Sequence, residues 1–368
     1  MRNVAILATE AKSLMSNNQS IDTVDLHTVP VTCGLVATKP PLLDPKNDQH
    51  RSSAVVRIKA FSCNYRDQTF IIAASLRARD KFFYVIGSDF TGEVVEIGAD
   101  VQTVAVGDRV IGNNAYHGLS LNAPARQGVP SNHASAEYQV LSESQIIKIP
   151  SNMSDEKAAA FSINSQTAYS MVRKIGVSKG DHVLVTAARS NTSLSAISAL
   201  RKYEANVYAL TTSSGYESRF AELGIAEVIN SHDDERLIEL ARSVGGFQCV
   251  IDPFFDLHLT KVAALLAPGG RYTSCGVWRQ YQGLLESDTQ KEVLDLSGAL
   301  SQCILNNIQL VFNCLGSRDD LAQAIGDFAA GDFDVVIDST YTGNQVGAFL
   351  SRTFTSADRF GKVVYQYT

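Results

Sequence analysis

The chain has 368 residues, of which 45% are hydrophobic and 19% are charged, and its formal net charge is −6. This length predicts about two domains, and an acidic chain with no run of basic residues is not a dedicated nucleic-acid binder. The six cysteines stand singly without a CxxC pair, which argues against a zinc ribbon and favours free thiols in a reducing compartment. The N-terminal apolar run is too short for a signal peptide or a membrane span, so we expect a soluble cytoplasmic protein.

The first part of the chain is predicted to form short strands separated by turns. Val4–Leu7 is a strand candidate, and Val55–Ala60, with the sequence VVRIKA, alternates in polarity as a strand does. A glycine-rich segment follows at residues 87–112, in which Gly107 and Asp108 form a turn signal. These features predict an antiparallel, barrel-like region.

After Pro150 the pattern changes to alternating strands and helices. Ser154, Asp155 and Glu156 indicate a helix start. The later strands are predicted at Val183–Val185, Val207–Leu210, Val228–Ile229, Val250–Asp252 and Tyr272–Cys275. Helices are predicted between them, among others at Asp234–Val244 and Leu259–Leu266. This order is typical of a parallel α/β sheet.

One strand–turn–helix–strand unit, at residues 181–216, organises this second part. Strand, turn, helix and strand within about thirty residues form the mononucleotide-binding half of a doubly wound fold. The turn holds Ala187, Ser190 and Ser193 where glycines usually let backbone N–H groups approach a pyrophosphate. Two interpretations stay open. Either the side chains of Arg189, Ser190, Asn191, Thr192 and Ser193 rebuild a phosphate site, or serine and asparagine only cap the helix.

The motifs together resemble the medium-chain dehydrogenase/reductase superfamily. They are the sequence GSDFTGEVVEIG at 87–98, GDRVIG at 107–112, the βαβ unit, APGGR at 267–271 and RFGKVV at 359–364. The resemblance covers roughly residues 55 to 368. It implies a GroES-like β-barrel catalytic domain at residues 1–155, completed by about 318–368, and a Rossmann doubly wound nucleotide-binding domain at 156–317.

The resemblance also implies where a catalytic zinc ion would bind in the zinc-dependent branch of this superfamily. The expected ligand positions fall on Asn64, Ser88 and a residue near Ile163, none of which is the expected ligand. The four closely spaced cysteines of a structural zinc loop are also missing after Gly112. We therefore expect an enzyme without zinc, similar to quinone oxidoreductases and enoyl reductases.

Without a metal ion, hydrogen-bond donors must polarise a substrate carbonyl. By resemblance, Tyr65 and Asn64 are the catalytic candidates, and Tyr65 would donate a proton or a hydrogen bond to an enolate oxygen. The alternative for Tyr65 is a packed aromatic residue. Asp67 is interpreted as a structural residue of this loop.

NADPH is the expected cofactor. NAD-binding folds usually place an acidic residue after the second strand, whereas this chain has hydroxyl groups there, which would accept a 2′-phosphate. The residues of this predicted site are Thr211, Thr212, Ser213 and Tyr216. Further cofactor contacts implied by the resemblance and by the strand ends are Thr167, Asp252, Cys275, Gly276, Asn313, Cys314 and Leu315.

The sequence thus supports an NADPH-dependent reductase of an activated C=C bond or a quinone. A second hypothesis is a redox-inactive protein of the same fold, because the turn has lost its glycines. A third is a biosynthetic reductase that acts on a carrier-bound acyl chain. A small-molecule substrate is expected, with neither nucleic acid nor membrane as a partner, and Leu305–Phe312 is predicted to form the edge of a homodimer.

Overall fold

A computed structural model of the protein describes residues 1–8, 21–44, 46–76, 83–114, 130–280 and 295–368. These residues form two compact units, one made of Met1–Ile163 with Ile337–Thr368, and one made of Asn164–Val336.

The strands are β1 (Arg2–Leu7), β2 (Ile21–Leu26), β3 (Val29–Ala37), β4 (Ser53–Ser62), β5 (Phe83–Val85), β6 (Asp89–Ile97), β7 (Arg109–Gly112), β8 (Tyr138–Ser142), β9 (Ile146–Lys148), β10 (His182–Val185), β11 (Asn206–Thr211), β12 (Glu227–Asn230), β13 (Phe247–Asp252), β14 (Leu266–Ser274), β15 (Gln309–Phe312), β16 (Ile337–Thr342) and β17 (Lys362–Gln366). The helices are α1 (Asp48–Arg51), α2 (Tyr65–Leu76), α3 (Asp155–Ala159), α4 (Ser162–Ile175), α5 (Asn191–Leu200), α6 (Glu217–Glu222), α7 (Asp234–Ser243), α8 (Phe255–Val262), α9 (Ser297–Leu305), α10 (Arg318–Ala330) and α11 (Val346–Phe354).

The first unit contains the predicted antiparallel strands. One sheet has the order β2-β3-β1-β5, and the other has the order β16-β17-β4-β6-β7-β9 with β8 paired to β4. The long pairing of β4 with β6 brings the two backbones close at Gly92, where a Cβ atom would lie 2.6 Å from the carbonyl oxygen of Arg57. This contact explains why a glycine occupies that position of the sequence motif.

The second unit is a six-stranded parallel sheet in the order β12-β11-β10-β13-β14-β15. This is the strand order of the Rossmann fold. Apolar residues of the inner strands, among them Leu184, Val250 and Tyr272, pack into one core with the flanking helices. Because the strands are parallel, their carboxyl ends meet at one edge of the sheet, and this edge carries the turn after β10.

The predicted α/β class and the predicted strands are confirmed, and β10 to β14 each begin earlier than expected. The helix predicted at Leu259–Leu266 is wrong in its bounds, because α8 begins at Phe255 and ends at Val262. Leu266 instead begins β14, which pairs with β13 from Phe247 onward across an irregular register. Pro268 and the glycines after it therefore lie within a strand.

The domain boundaries lie later in the chain than the sequence predicted, at 163/164 and 336/337 instead of 155/156 and 317/318. The difference at the second boundary is α10, which belongs to the second unit. Its Asp320 binds the guanidinium group of Arg173 in α4 at 2.7 and 2.9 Å, and its Asp327 accepts a hydrogen bond from Tyr169 at 2.6 Å. These bonds tie α10 to the parallel sheet's own helices.

Candidate functional site

The turn after β10 keeps a glycine-like backbone although it contains no glycine. Ala187 has a φ of 42°, in the left-handed region that residues with a Cβ atom avoid. This conformation costs about 1–2 kcal/mol for such a residue. The first of the expected glycine positions is therefore one that demands positive φ, and the chain tolerates an alanine there.

The second and third of the expected glycine positions, Ser190 and Ser193, lie in the N-terminal cap of α5. The Ser190 hydroxyl accepts a hydrogen bond from the backbone N–H of Ser193 at 3.2 Å and donates one to its hydroxyl at 2.9 Å. The Ser193 hydroxyl in turn donates to the carbonyl of Thr186 at 2.8 Å. The capping interpretation therefore holds for Ser190 and Ser193, whose hydroxyl groups are already bound within the protein.

Asn191 and Thr192 begin the helix beside this cap. The Thr192 hydroxyl donates to Asn164 at 3.3 Å, whereas the Oδ1 atom of Asn191 is buried without a hydrogen-bond partner among the described residues. A buried acceptor without a partner costs about 1–3 kcal/mol. A ligand hydroxyl group at the start of α5 would satisfy it.

Arg189 points from the turn to the end of β11. Its guanidinium group donates to the hydroxyl groups of Ser213 at 2.7 Å and Thr211 at 3.3 Å, and it lies 4.8 Å from the centre of the Tyr216 ring. Thr212, the remaining predicted residue of this group, is exposed. The structure thus brings a cation, two hydroxyl groups and an aromatic ring together where the sequence predicted a 2′-phosphate site.

Asp252, predicted to contact the cofactor, is instead surrounded by protein groups. Its fully buried carboxylate accepts hydrogen bonds from Thr186 at 2.6 Å, from the backbone of Phe254 at 2.9 Å and from Tyr272 at 2.5 Å, and it lies 2.8 Å from Nδ1 of His258. Burial and the nearby carboxylate raise the pKa of Tyr272, so its hydroxyl stays a donor. Both oxygen atoms of Asp252 are thus bound to protein groups, and the carboxylate has no exposed surface.

The remaining predicted cofactor residues lie at the ends of β14 and β15 and in α4. Asn313 binds Ser170 and Lys174 through its Oδ1 atom at 2.9 and 2.6 Å, and Leu315 has a φ of 55°. A Cβ atom on Gly276 would lie 2.7 Å from the carbonyl of Pro253, so this position requires glycine. Cys314 is exposed, Cys275 is half-buried and Thr167 is buried. Their contacts with a cofactor stay a prediction.

In the first unit, the expected zinc-ligand positions form a closed hydrogen-bond network. The amide nitrogen of Asn64 donates to Ser88 at 3.0 Å and to Asp89 at 2.8 Å. The Ser88 hydroxyl donates to Asp67 at 2.5 Å, and the backbone N–H of Ile163 donates to Asp89 at 2.9 Å. Both amide protons of Asn64 are therefore used, and its side chain has no donor left for a substrate oxygen.

A buried lysine completes this network. The ammonium group of Lys362 donates to Oδ1 of Asn64 at 2.5 Å and to Asp89 at 3.2 Å, with its side chain 2% exposed. Burial lowers the pKa of Lys362 and raises that of Asp67. The Lys362 ammonium group thus lies against Asp89 and Asn64, beside the positions where the resemblance places zinc ligands.

Tyr65 is half-buried at the start of α2, directly after Asn64. Asp67 accepts the backbone N–H of Asn64 at 2.8 Å, which agrees with its predicted structural role. The neighbouring thiol of Cys63 is buried, and burial raises its pKa well above the usual value. Among the residues described, no cluster of histidine, cysteine, aspartate or glutamate could hold a metal ion.

Residues 50–151 match the alcohol dehydrogenase GroES-like domain family. Human quinone oxidoreductase is 24% identical over 60% of this chain and 64% of its own length. A phenolphthiocerol/phthiocerol polyketide synthase protein of Mycobacterium tuberculosis is 26% identical over 63% of this chain and 10% of its own length. An NAD-dependent alcohol dehydrogenase of known structure has the same fold, with a TM-score of 0.76 at 24% identity over 100% of this chain and 99% of its own.

Residues 50–151 thus match an alcohol dehydrogenase GroES-like domain, and the chain is similar to oxidoreductases of the medium-chain dehydrogenase/reductase superfamily. The strand order of the parallel sheet agrees with this similarity. The alignment spans just under two thirds of the length of the human quinone oxidoreductase. No helix within the described ranges is long and apolar enough to cross a membrane.

Sequence reasoning missed Thr186, His258 and Tyr272 in the network around Asp252. It also missed the role of Lys362 in the network around Asn64. Lys362 was visible as a lone cation in the apolar sequence GKVVY, which is the signal that could have found it. Thr186 and Tyr272 look like ordinary strand residues. Their partners lie 66 and 20 positions away along the chain, so no local pattern links them.

Proposed function

We propose that this protein is an NADPH-dependent reductase that acts without zinc on a C=C bond conjugated to a carbonyl, or on a quinone. The observation that carries the proposal is the cluster of Arg189 with Ser213, Thr211 and Tyr216 at the end of the second strand of the parallel sheet. A fixed guanidinium group with neighbouring hydroxyl donors suits a phosphate dianion. Residues 211–216 contain no carboxylate that would repel a phosphate, and the Glu217 carboxylate that follows accepts the backbone N–H of Gly215 at 3.1 Å.

The turn after β10 supports dinucleotide binding in this proposal. Ala187 adopts the left-handed conformation that glycine supplies in other dinucleotide-binding turns. Helix α5 begins directly after the turn, and the N-terminal end of a helix attracts phosphate. Asn191 offers a buried acceptor for a ligand hydroxyl. These residues would hold the nucleotide, and the bound nicotinamide would supply the hydride.

The network around Lys362 supports chemistry without a catalytic metal ion. Asn64 and Ser88 stand at two ligand positions and are bound to Asp89, Asp67 and Lys362. An ammonium group beside these positions would repel a divalent cation. In its place, a hydrogen-bond donor must stabilise the negative charge that develops on the substrate oxygen.

Tyr65 is the proposed donor to that oxygen. Asn64 does not share this role, because both of its amide protons are bound within the network. In the proposed reaction, hydride addition at the β-carbon produces an enolate, and the Tyr65 hydroxyl donates a hydrogen bond or a proton to it. The similarity to a quinone oxidoreductase and to a polyketide synthase protein supports this substrate range, and the latter favours a test of carrier-linked acyl thioesters. The free cysteines suit a reducing cytoplasm.

Calorimetric titration with NADPH and NADH tests the cofactor proposal. We expect tight binding of NADPH and at least tenfold weaker binding of NADH. Replacement of Arg189 by Gln is expected to weaken NADPH binding about tenfold, because a charge-assisted hydrogen bond contributes roughly 1.5–3 kcal/mol, and to leave NADH nearly unchanged. Arg201→Gln is the matched control, since Arg201 is an exposed arginine after α5.

Activity is then followed as oxidation of NADPH by enones, quinones and acyl thioesters, in the wild type and in Tyr65→Phe. A reductase whose turnover falls about 100-fold or more in Tyr65→Phe agrees with the proposal. A protein that binds neither nucleotide is redox-inactive, which is the competing hypothesis raised by the alanine at position 187.

A further inference from the structure

The buried carboxylate of Asp252 connects three elements of the second unit. It lies at the end of β13, accepts hydrogen bonds from Thr186 after β10 and from Tyr272 in β14, and contacts His258 in α8. Its two oxygen atoms have different neighbours: Oδ1 binds Thr186, Phe254 and His258, whereas Oδ2 binds Tyr272. Only Oδ1 is bound to a residue next to the turn, which is Thr186.

Thr186 connects Asp252 to the turn after β10. It is fully buried, its backbone N–H donates to Ile251 at 3.0 Å, and its hydroxyl donates to Asp252 at 2.6 Å. Its carbonyl accepts the Ser193 hydroxyl at 2.8 Å, so the residue before the turn is bound to the first turn of α5. Thr186 is therefore held from both sides immediately before Ala187.

Ala187 needs such support because its backbone is in the left-handed region. In a turn with glycine, this conformation carries no steric penalty. Here the strained residue lies between Thr186, which is bound to Asp252, and Ala188, whose N–H donates to the carbonyl of Leu210 at 3.0 Å. Strained backbone persists where the surrounding structure determines it.

We infer that Thr186 and Asp252 are positioning residues, which hold the glycine-free turn in the conformation that presents its backbone to the phosphate groups of a dinucleotide. The pair acts on the nucleotide only through the turn, since the oxygen atoms of Asp252 are bound to protein groups. This inference rests on the proposed nucleotide-binding function. It adds the means by which a turn without glycine retains that function.

The first test compares two variants that each remove one hydroxyl group from Asp252. Thr186→Val removes the bond on the side of the turn, and Tyr272→Phe removes the bond on the opposite side. We expect Thr186→Val to weaken NADPH binding about tenfold, which corresponds to about 1.4 kcal/mol, and Tyr272→Phe to change it less than twofold. Thr186→Val combined with Ala187→Gly should bind NADPH within twofold of Ala187→Gly alone, because glycine adopts the turn without support.

Restored binding in the double variant distinguishes a positioning role from a general loss of stability. Thr186→Val and Tyr272→Phe each lose one hydrogen bond and would both have a lower melting temperature, but only Thr186→Val should bind NADPH more weakly and be restored by Ala187→Gly. Equal weakening by Thr186→Val and Tyr272→Phe, or failure of Ala187→Gly to restore binding, would overturn the inference.

The second test needs no ligand. Hydrogen exchange measured by mass spectrometry over residues 187–193 should be faster in Thr186→Val than in Tyr272→Phe or the wild type. If the wild type does not bind NADPH while exchange in the turn follows this order, the positioning role stands and the proposed function fails. Equal exchange in both variants contradicts the positioning role whatever the protein binds.

Discussion

Lys362 is a charged residue in the interior of the first unit, where charged side chains are rare. Its ammonium group donates hydrogen bonds to Asp89 and Asn64, and the Asp67 carboxylate accepts a hydrogen bond from the Ser88 hydroxyl. Removing one partner of a buried ion pair leaves the other charge without compensation. The stability of the first unit therefore depends on this cation.

Lys362→Met is expected to lower the free energy of unfolding by about 3–5 kcal/mol, because it leaves Asp89 buried without its cation. Lys148→Met is the control. The Lys148 side chain is 52% exposed and lies 2.7 Å from Asp108, and an exposed pair of this kind contributes about 1 kcal/mol or less. Denaturant unfolding measures both changes. Similar losses in the two variants would contradict the role given to Lys362.

At the scale of single elements, helix α10 shows how capping and an ion pair anchor a helix. The Ser317 hydroxyl accepts the N–H of Asp320, and the Asp320 side chain reaches back to the N–H of Ser317 at 2.8 Å. The same carboxylate binds Arg173 with two hydrogen bonds. Burial opposes ionisation of Asp320, but the bonds to Arg173 and Ser317 outweigh it and lower the pKa.

Because the pKa of Asp320 is lowered, the stability that this carboxylate contributes to α10 depends on pH. The folded-state pKa lies below the unfolded value of about 4, so the stabilisation is complete above that value and is lost as the pH falls through the folded pKa. We expect the free energy of unfolding to fall from about pH 5 downward, and this fall to be shallower in Asp320→Asn.

Asp319→Asn, at the exposed neighbouring position, is expected to keep the wild-type slope. Denaturant titrations from about pH 2 to about pH 7, which span the folded and unfolded pKa values, measure all three proteins. A wild-type slope in Asp320→Asn would show that other carboxylates determine acid stability.

At the scale of the whole molecule, β15 is the last of the described strands in the order of the parallel sheet. Helix α9 and β15 expose large apolar side chains there, with Ile304 77%, Leu305 75% and Phe312 57% exposed. The sequence predicted a dimer edge at Leu305–Phe312; within this segment Gln309–Phe312 forms the outer strand β15, whereas Leu305 is the last residue of α9. Exposed strand edges beside apolar side chains favour pairing with another chain.

We propose a homodimer through this edge. Sedimentation at micromolar concentration is expected to give twice the monomer mass, and Ile304→Glu combined with Phe312→Glu is expected to give the monomer, since buried carboxylates oppose association. Val106→Glu, an exposed apolar position of the first unit, should leave the dimer intact. A monomeric wild type would refute the proposal.

The fold class, the order of the parallel strands along the chain and the position of the turn after β10 follow from the sequence, because they depend on local features. Apolar runs, capping residues and turn residues act on neighbours within a few positions. The sequence assigned Arg189 to the turn and Ser213 and Tyr216 to the end of the second strand, and only the structure brings the three together.

The tertiary structure alone decided which side chains bind one another. Lys362 and Asn64 are 298 positions apart, and Asp252 and Thr186 are 66 apart, so no periodicity links them. For this reason no local pattern could show that both amide protons of Asn64 and both carboxylate oxygens of Asp252 are bound within the protein. Hydrogen-bond capacity is finite, and only the folded chain determines which partners use it.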